Sequence, residues 1–190
     1  MIGRLPRSLM VGSHEYAIRT DFRVVLTIMQ AFADPDLTDR EKCFVCMKCL
    51  YEDFDSIPAE DIEQAAKQAY WFVNGGDMPH SSSPVRTFDW EQDEQLIFPA
   101  VNRAAGFEVR EVEYLHWWTF LGYFGTIGEG LFSEVLRLRG RLAKGKPLDK
   151  TDREFYREHR SMIDLKKRLT EEERQAEEAD AAFLRELIGE

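Results

Sequence analysis

A chain of 190 residues, 44% hydrophobic and 12% aromatic, is long enough to bury a core and too apolar for wholesale disorder. Its net charge of −10 repels phosphate backbones, which argues against general nucleic-acid binding. No apolar run approaches the ~20 residues that span a bilayer, Met1 to Pro6 lacks an apolar signal core, and three cysteines suggest no disulfide framework, so a reducing cytosol is expected.

Leu9-Met10-Val11, a Gly12-Ser13 turn and His14 to Ile18 predict a short hairpin, with glycine supplying the positive φ such turns often need. From Asp21 the period becomes helical: Phe22, Val25, Leu26 and Met29 form one stripe, capped by Thr20 or Asp21 and broken at Asp34-Pro35-Asp36. Thr38 and Glu41 form a capping box, and the helix they open is expected to carry Cys43, Met47, Leu50 and Phe54 on one face. Pro58 fits the first turn of a third helix with Ile62, Ala66, Ala69 and Val73 on its face and Asn74-Gly75-Gly76 at its end. A polar loop at 77–87 follows.

Asp89 is the expected cap of a fourth helix bearing Trp90, Ile97, Val101 and Ala104, closed by Gly106. A fifth, from Val112 to Phe124, is apolar almost all round and is expected to be buried on several sides. A sixth shows Leu131, Val135, Leu138 and Leu142 before Gly145-Lys146-Pro147. Further capping boxes at Thr151–Glu154 and Thr170–Glu173 predict two charged helices. Their thin apolar stripe, Phe155, Met162, Leu169, Ala176 and Phe183, recurs every seven residues without a full coiled-coil seam. The expected architecture is mostly α: a compact multi-helix domain at 1–147 with a short N-terminal β-hairpin, then a charged C-terminal helical tail at 148–190.

Catalytic and metal chemistry find little support. Cys43, Cys46 and Cys49 have the spacing of thiolate ligands. On a helix, however, Cys49 falls about 120° round from Cys43, and no fourth cysteine exists. Core packing is preferred, with a metal or redox regulator kept as an alternative. Gly122, Gly125, Gly128 and Gly130 follow a helix rather than a strand and lack the Gly-Lys-Ser/Thr of a phosphate loop. His116 has no evident nucleophile or orienting acid. The acid-free run Arg137, Arg139, Arg141, Lys144, Lys146 reads as a solvated helix end, with a phosphate patch as the alternative. Asp93 reads as solvated surface of a first helical turn. No cofactor, no metal and no enzymatic activity are expected.

One constellation is more specific: Phe88, Trp90, Asp93 and Ile97, then Phe107, then Leu115-His116-Trp117-Trp118-x-Phe120, then Arg137 and Arg139. It resembles the tail assembly chaperones of long-tailed bacteriophages and prophages of Gram-positive hosts, the phage Gp15-like family. The likeness covers about Gly12 to Arg139 and is tight from Phe88 onward. It implies a non-enzymatic protein that coats the tape measure protein during tail building and helps recruit tail tube subunits. It also implies residence in the host cytoplasm and absence from the mature virion. The implied partners are tape measure protein, tail tube protein and an upstream companion chaperone, with self-association left open and with neither nucleic acid nor membrane among them. The aromatics are either core or interface; Trp90, His116, Trp117 and Phe124 are the expected partner-binding residues. The competing reading is a structural or adaptor protein retained in the particle.

Overall fold

In a computed structural model the protein is described over residues 3–77 and 86–188. Most of the expected polar loop, residues 78–85, lies outside the described residues. The hairpin forms as predicted, with β1 (Ser8–Val11) antiparallel to β2 (His14–Ala17), Leu9 opposite Tyr16 and Val11 opposite His14. Gly12 takes φ +58°, in the left-handed region that L side chains rarely adopt. Alternation puts Leu9 and Val11 in the core, where β1 packs on the third helix, and so supports a ribbon that would be marginal alone.

Helix α1 (Phe22–Ala33) is capped by Asp21, whose carboxylate accepts from the Arg23 N–H. Its buried line is Phe22, Val25 and Ile28, with the predicted Leu26 and Met29 half-buried at its flank. Helix α2 (Asp39–Leu50) opens on the predicted Thr38–Glu41 box. Its inner face is Cys46, Met47 and Leu50; Cys43 is only half-buried and Phe54 lies beyond the helix in a 3-10 turn. Pro58 precedes a 3-10 turn that runs into α3 (Ile62–Val73). There the core takes the predicted Ala69 and Val73, with Ala65 and Phe72 in place of Ile62 and Ala66, which are half-buried.

Helix α4 (Glu94–Ala105) begins five residues after Asp89, leaving Trp90 in the turn before it and Ala104 exposed. Helix α5 (Trp117–Gly125) begins five residues later than hydrophobicity suggests, because Val112 to Leu115 runs irregularly to reach the N-terminal end of α1. Helix α6 (Leu131–Ala143) buries Phe132, Val135, Leu138 and Arg139, while Leu131 and Leu142 face solvent.

The tail departs furthest from expectation. Helix α7 (Lys150–Glu158) is capped by Asp149 rather than Thr151, and α8 (Arg160–Ile163) is a single turn. An extended stretch leads to α9 (Glu171–Ile188), which does open on the predicted Thr170–Glu173 box. The seven-residue stripe is therefore not one helical face. Ile163, outside it, is a buried apolar residue, packed with Val135 and Leu138 while Phe155 and Met162 flank them. The side chain of Phe183 lies outside the described residues.

The main core joins the hairpin and α1 to α5, with Phe132 of α6. Helix α1 packs on α2 and α5, α4 on α5 and α6, and α8 on α6. Helices α1 and α4 thus share α5 as support. Among the described residues no helix is long and apolar enough to cross a membrane.

Candidate protein-interaction site

The Leu115-His116-Trp117-Trp118 segment assembles two helix ends. His116 is the N-cap of α5: its Nδ1 accepts from the Trp118 N–H at 3.0 Å, and its Nε2 lies 2.9 Å from the Pro6 carbonyl. With Nδ1 accepting, the ring proton sits on Nε2 and is donated to Pro6. Burial, reinforced by the Arg7 charge and only partly offset by the Pro6 bond, pushes the His116 pKa below its ordinary value. The indole N–H groups of Trp117 and Trp118 donate to the carbonyls of Val73 and Phe72, at 2.8 and 2.9 Å. These carbonyls belong to the last turn of α3, beyond the reach of its i to i−4 ladder; that of Phe72 also accepts from the Gly75 N–H at 3.1 Å. Gly76, at φ +93°, lets the chain pass the Trp118 ring, which an added Cβ would approach to 2.9 Å.

Behind this segment lies an aromatic cluster. Phe120 stacks on Phe22 at 4.7 Å and on Trp117 at 5.7 Å. Trp90 sits 4.9 Å from Phe124, 5.1 Å from Phe88 and 6.3 Å from Trp117. Of the four predicted partner-binding residues, the fold therefore gathers Trp90, Trp117 and Phe124 in one cluster. His116 stands beside them, making its ring contacts with Phe72 and Trp118. Trp117 and His116 are interior, whereas Trp90 and Phe124 are half-buried.

The Trp90 turn is held by charge. Asp89 accepts from the Glu91 and Gln92 N–H groups at 3.0 and 2.8 Å, and Asp93 accepts from the Asp89 N–H at 2.9 Å. Arg139 grips Asp93 with both terminal nitrogens, at 2.5 and 2.8 Å, and both side chains are almost wholly buried. The same guanidinium donates to the carbonyls of Thr87, Met162 and Ile163. Arg168 and Arg86 both donate to Oδ2 of Asp89. Burial alone would raise the Asp89 carboxyl, but the Gln92 N–H, Arg168 and Arg86 outweigh it and hold its pKa at about 2. The basic run is thus only partly a solvated helix end: Lys144 and Lys146 are exposed, but Arg139 is core, and Arg137 and Arg141 converge on the buried Asp152 of α7 at 2.5 and 2.6 Å. Asp93 is likewise interior rather than surface. Sequence reading missed these pairs because their partners lie 11 to 46 positions away. The only local hint was three arginines at alternate positions on a helix whose apolar stripe needed one of those places.

Between α1 and α4 runs an open groove of 240 Å³, lined by Phe22, Leu26, Gln30, Trp90, Glu94 and Phe98 among others. The cysteines make no comparable site. Cys46 is fully buried, which with the neighbouring thiols pushes its pKa up to about 12. Among the described residues no group of three or more His, Cys, Asp or Glu is placed to hold a metal ion.

The fold and this site define a mostly helical domain with an N-terminal hairpin, Trp117 turned inward, and an aromatic-floored groove beside Trp90 turned outward. The family model for the bacteriophage Gp15 protein matches residues 1–165, and the chain belongs to that family. The match spans the hairpin through α8 and stops before α9. No curated protein and no solved structure matches the chain.

Proposed function

We propose that the protein is a phage tail assembly chaperone that binds the tape measure protein while the tail is built and helps recruit tail tube subunits. The observation that carries this reading is membership of the Gp15 family over residues 1–165. The physics agrees with it: a long helical scaffold exposes apolar faces that aggregate unless covered, and a groove between two helices is a common receptor for an amphipathic helix. On this reading Trp90 and Phe124, half-buried, touch the partner. His116 and Trp117 act from the interior by fixing the helix that carries Phe124. The protein works in the bacterial cytoplasm and leaves before the virion matures.

The test is co-expression with the tape measure protein of the same phage, followed by size-exclusion chromatography. A soluble, co-eluting complex is expected. A tape measure that still aggregates beside a folded, free partner counts against the reading, and stoichiometric presence in purified virions would replace it with a retained adaptor.

A further inference from the structure

The groove between α1 and α4 has a shape and a charge, and together they select an occupant. Phe22, Leu26 and Gln30 lie along one face of α1, so the α1 wall is about 12 Å long at 1.5 Å per residue. That is room for about two turns of a further helix. The floor is Phe22 and Phe98, both buried; Leu26 and Trp90 are half-buried and stand where an incoming apolar stripe would touch them.

The charge at the rim emerges once internal pairs are set aside. Arg23 is held by Asp21 and by the carbonyls of Arg110 and Val112, and its guanidinium stacks 4.6 Å from the Phe22 ring. Arg110 is held by Glu108 and stacks 4.9 Å from the Phe98 ring. Arg168 is committed to Asp89 at 2.7 Å and reaches Glu91 only at 3.6 Å. What faces the groove without a hydrogen-bonded cation is Glu91 and Glu94, both exposed, with Glu94 close enough to Arg110 to act on its charge. Past Gln30 and Glu91 the surface continues into a second depression that includes Asp34 and Asp36 beside Arg168 and Arg174, which are paired with Asp89 and Glu171. From there the chain enters α9: Asp36 accepts from the Glu171 N–H at 3.0 Å, and residues 171–180 carry six carboxylates against one arginine, all exposed.

We infer that this groove is a docking site for a basic amphipathic helix: apolar side chains at i, i+3/i+4 and i+7 on Leu26 and Trp90, flanked by lysine or arginine facing Glu91 and Glu94. A second copy of this chain is the wrong occupant. At net charge −10, with an acidic α9, it brings like charge to an acidic rim. The inference rests on the chaperone reading only for the partner's identity, since the groove's chemistry stands by itself.

The test uses the full-length protein and two fluorescently labelled designed helices of about five turns, sharing one leucine stripe, one flanked by lysine and the other by glutamate. Fluorescence anisotropy is expected to show binding of the lysine helix, weakening as NaCl rises to about 0.5 M, and none of the glutamate helix. Glu94→Lys, on the exposed rim, is expected to weaken the lysine helix about tenfold. Leu26→Asp, checked for unchanged circular dichroism, is expected to abolish binding although it adds negative charge. Equal binding of both helices, or lysine-helix binding that survives Leu26→Asp, overturns the inference. A tape measure solubilised equally by wild type and Leu26→Asp overturns the groove but leaves the chaperone reading standing. A groove that takes the lysine helix while the tape measure aggregates does the reverse.

Discussion

The indole N–H of Trp117 donates to the backbone carbonyl of Val73 across 2.8 Å, so a ring in the first turn of α5 terminates α3. Trp118 does the same for Phe72 at 2.9 Å. Two adjacent tryptophans with His116 before them therefore form a joint: the histidine caps the helix it begins, and the indoles cap the helix that ended some forty residues earlier. Such a joint needs a ring that both fills core volume and carries a donor able to reach a buried carbonyl, and each indole supplies the two together.

Trp117→Phe should expose the worth of that joint. Phenylalanine keeps an aromatic ring but leaves the Val73 carbonyl without its donor and leaves a small void. The combined cost is expected to be about 2–4 kcal/mol, from an unsatisfied buried acceptor plus lost packing. Urea denaturation measures it. A variant as stable as wild type would show that water or another group satisfies the carbonyl.

His116 should make stability depend on pH in a defined window. Its folded pKa lies below the ordinary 6.5, chiefly because the ring is buried. Above about pH 6.5 both folded and unfolded states hold it neutral, and the stability is fully present. As pH falls below that value the unfolded chain binds a proton that the folded state refuses, so stability declines until the folded pKa is passed. His116→Asn keeps a capping side chain without a titrating ring. Its stability, measured by denaturation between about pH 7 and 5, is expected to sit lower than wild type at pH 7 and to lose the slope. Parallel slopes would assign the pH dependence elsewhere.

The same joint shows what the sequence could and could not reveal. Turns and caps were legible because their causes are local: Gly12, the Thr38–Glu41 box, the Thr170–Glu173 box and Gly106 each act within a few residues. Helix faces were legible in part: Ala69 and Val73 of α3 and Val135 and Leu138 of α6 are core as the pattern predicts, but Ile62, Ala66, Leu131 and Leu142 are not, since periodicity marks apolar residues and not which way the neighbouring helix approaches. In α6 the place assigned to Leu142 by pattern belongs to Arg139, a charge made tolerable in the core by Asp93. The groove could not be read at all: Leu26 and Trp90 lie 64 positions apart, in separate elements, and meet only because α1 and α4 both rest on α5.

The Asp93–Arg139 pair should be strongly coupled. Each single change, Asp93→Leu or Arg139→Met, strands a buried charge and is expected to cost about 3–5 kcal/mol. Losing Arg139 also frees the carbonyls of Met162 and Ile163, so α8 should loosen in that variant first, as hydrogen exchange at Ile163 and Asp164 would show. The double variant is expected to be less destabilised than the sum of the singles, because neither charge is then left alone. Additive costs in denaturation would mean that the pair contributes no coupling.

Truncation should separate the two parts of the C-terminal region by what they bury. Residues 171–180 expose every side chain, and the first turn of α9 touches the body through the Asp36 cap. Ending the chain after Thr170 is therefore expected to leave the melting temperature of the body within about a degree or two, given that surface changes usually stay within about 0.5 kcal/mol. Ending it after Lys146 removes Ile163 from Val135 and Leu138, removes Asp152 from Arg137 and Arg141, and takes from Arg139 two of its carbonyl acceptors. Burial of an isoleucine alone is worth about 1.5–3 kcal/mol, and arginines left near the core without acceptors add to the loss. Differential scanning calorimetry of the two truncations should show the first melting like the full chain and the second melting far lower or not cooperatively. Equal melting of both would mean that α6 does not depend on the segment lying across it, and that the arginines facing Asp152 are satisfied as well by water as by the carboxylate.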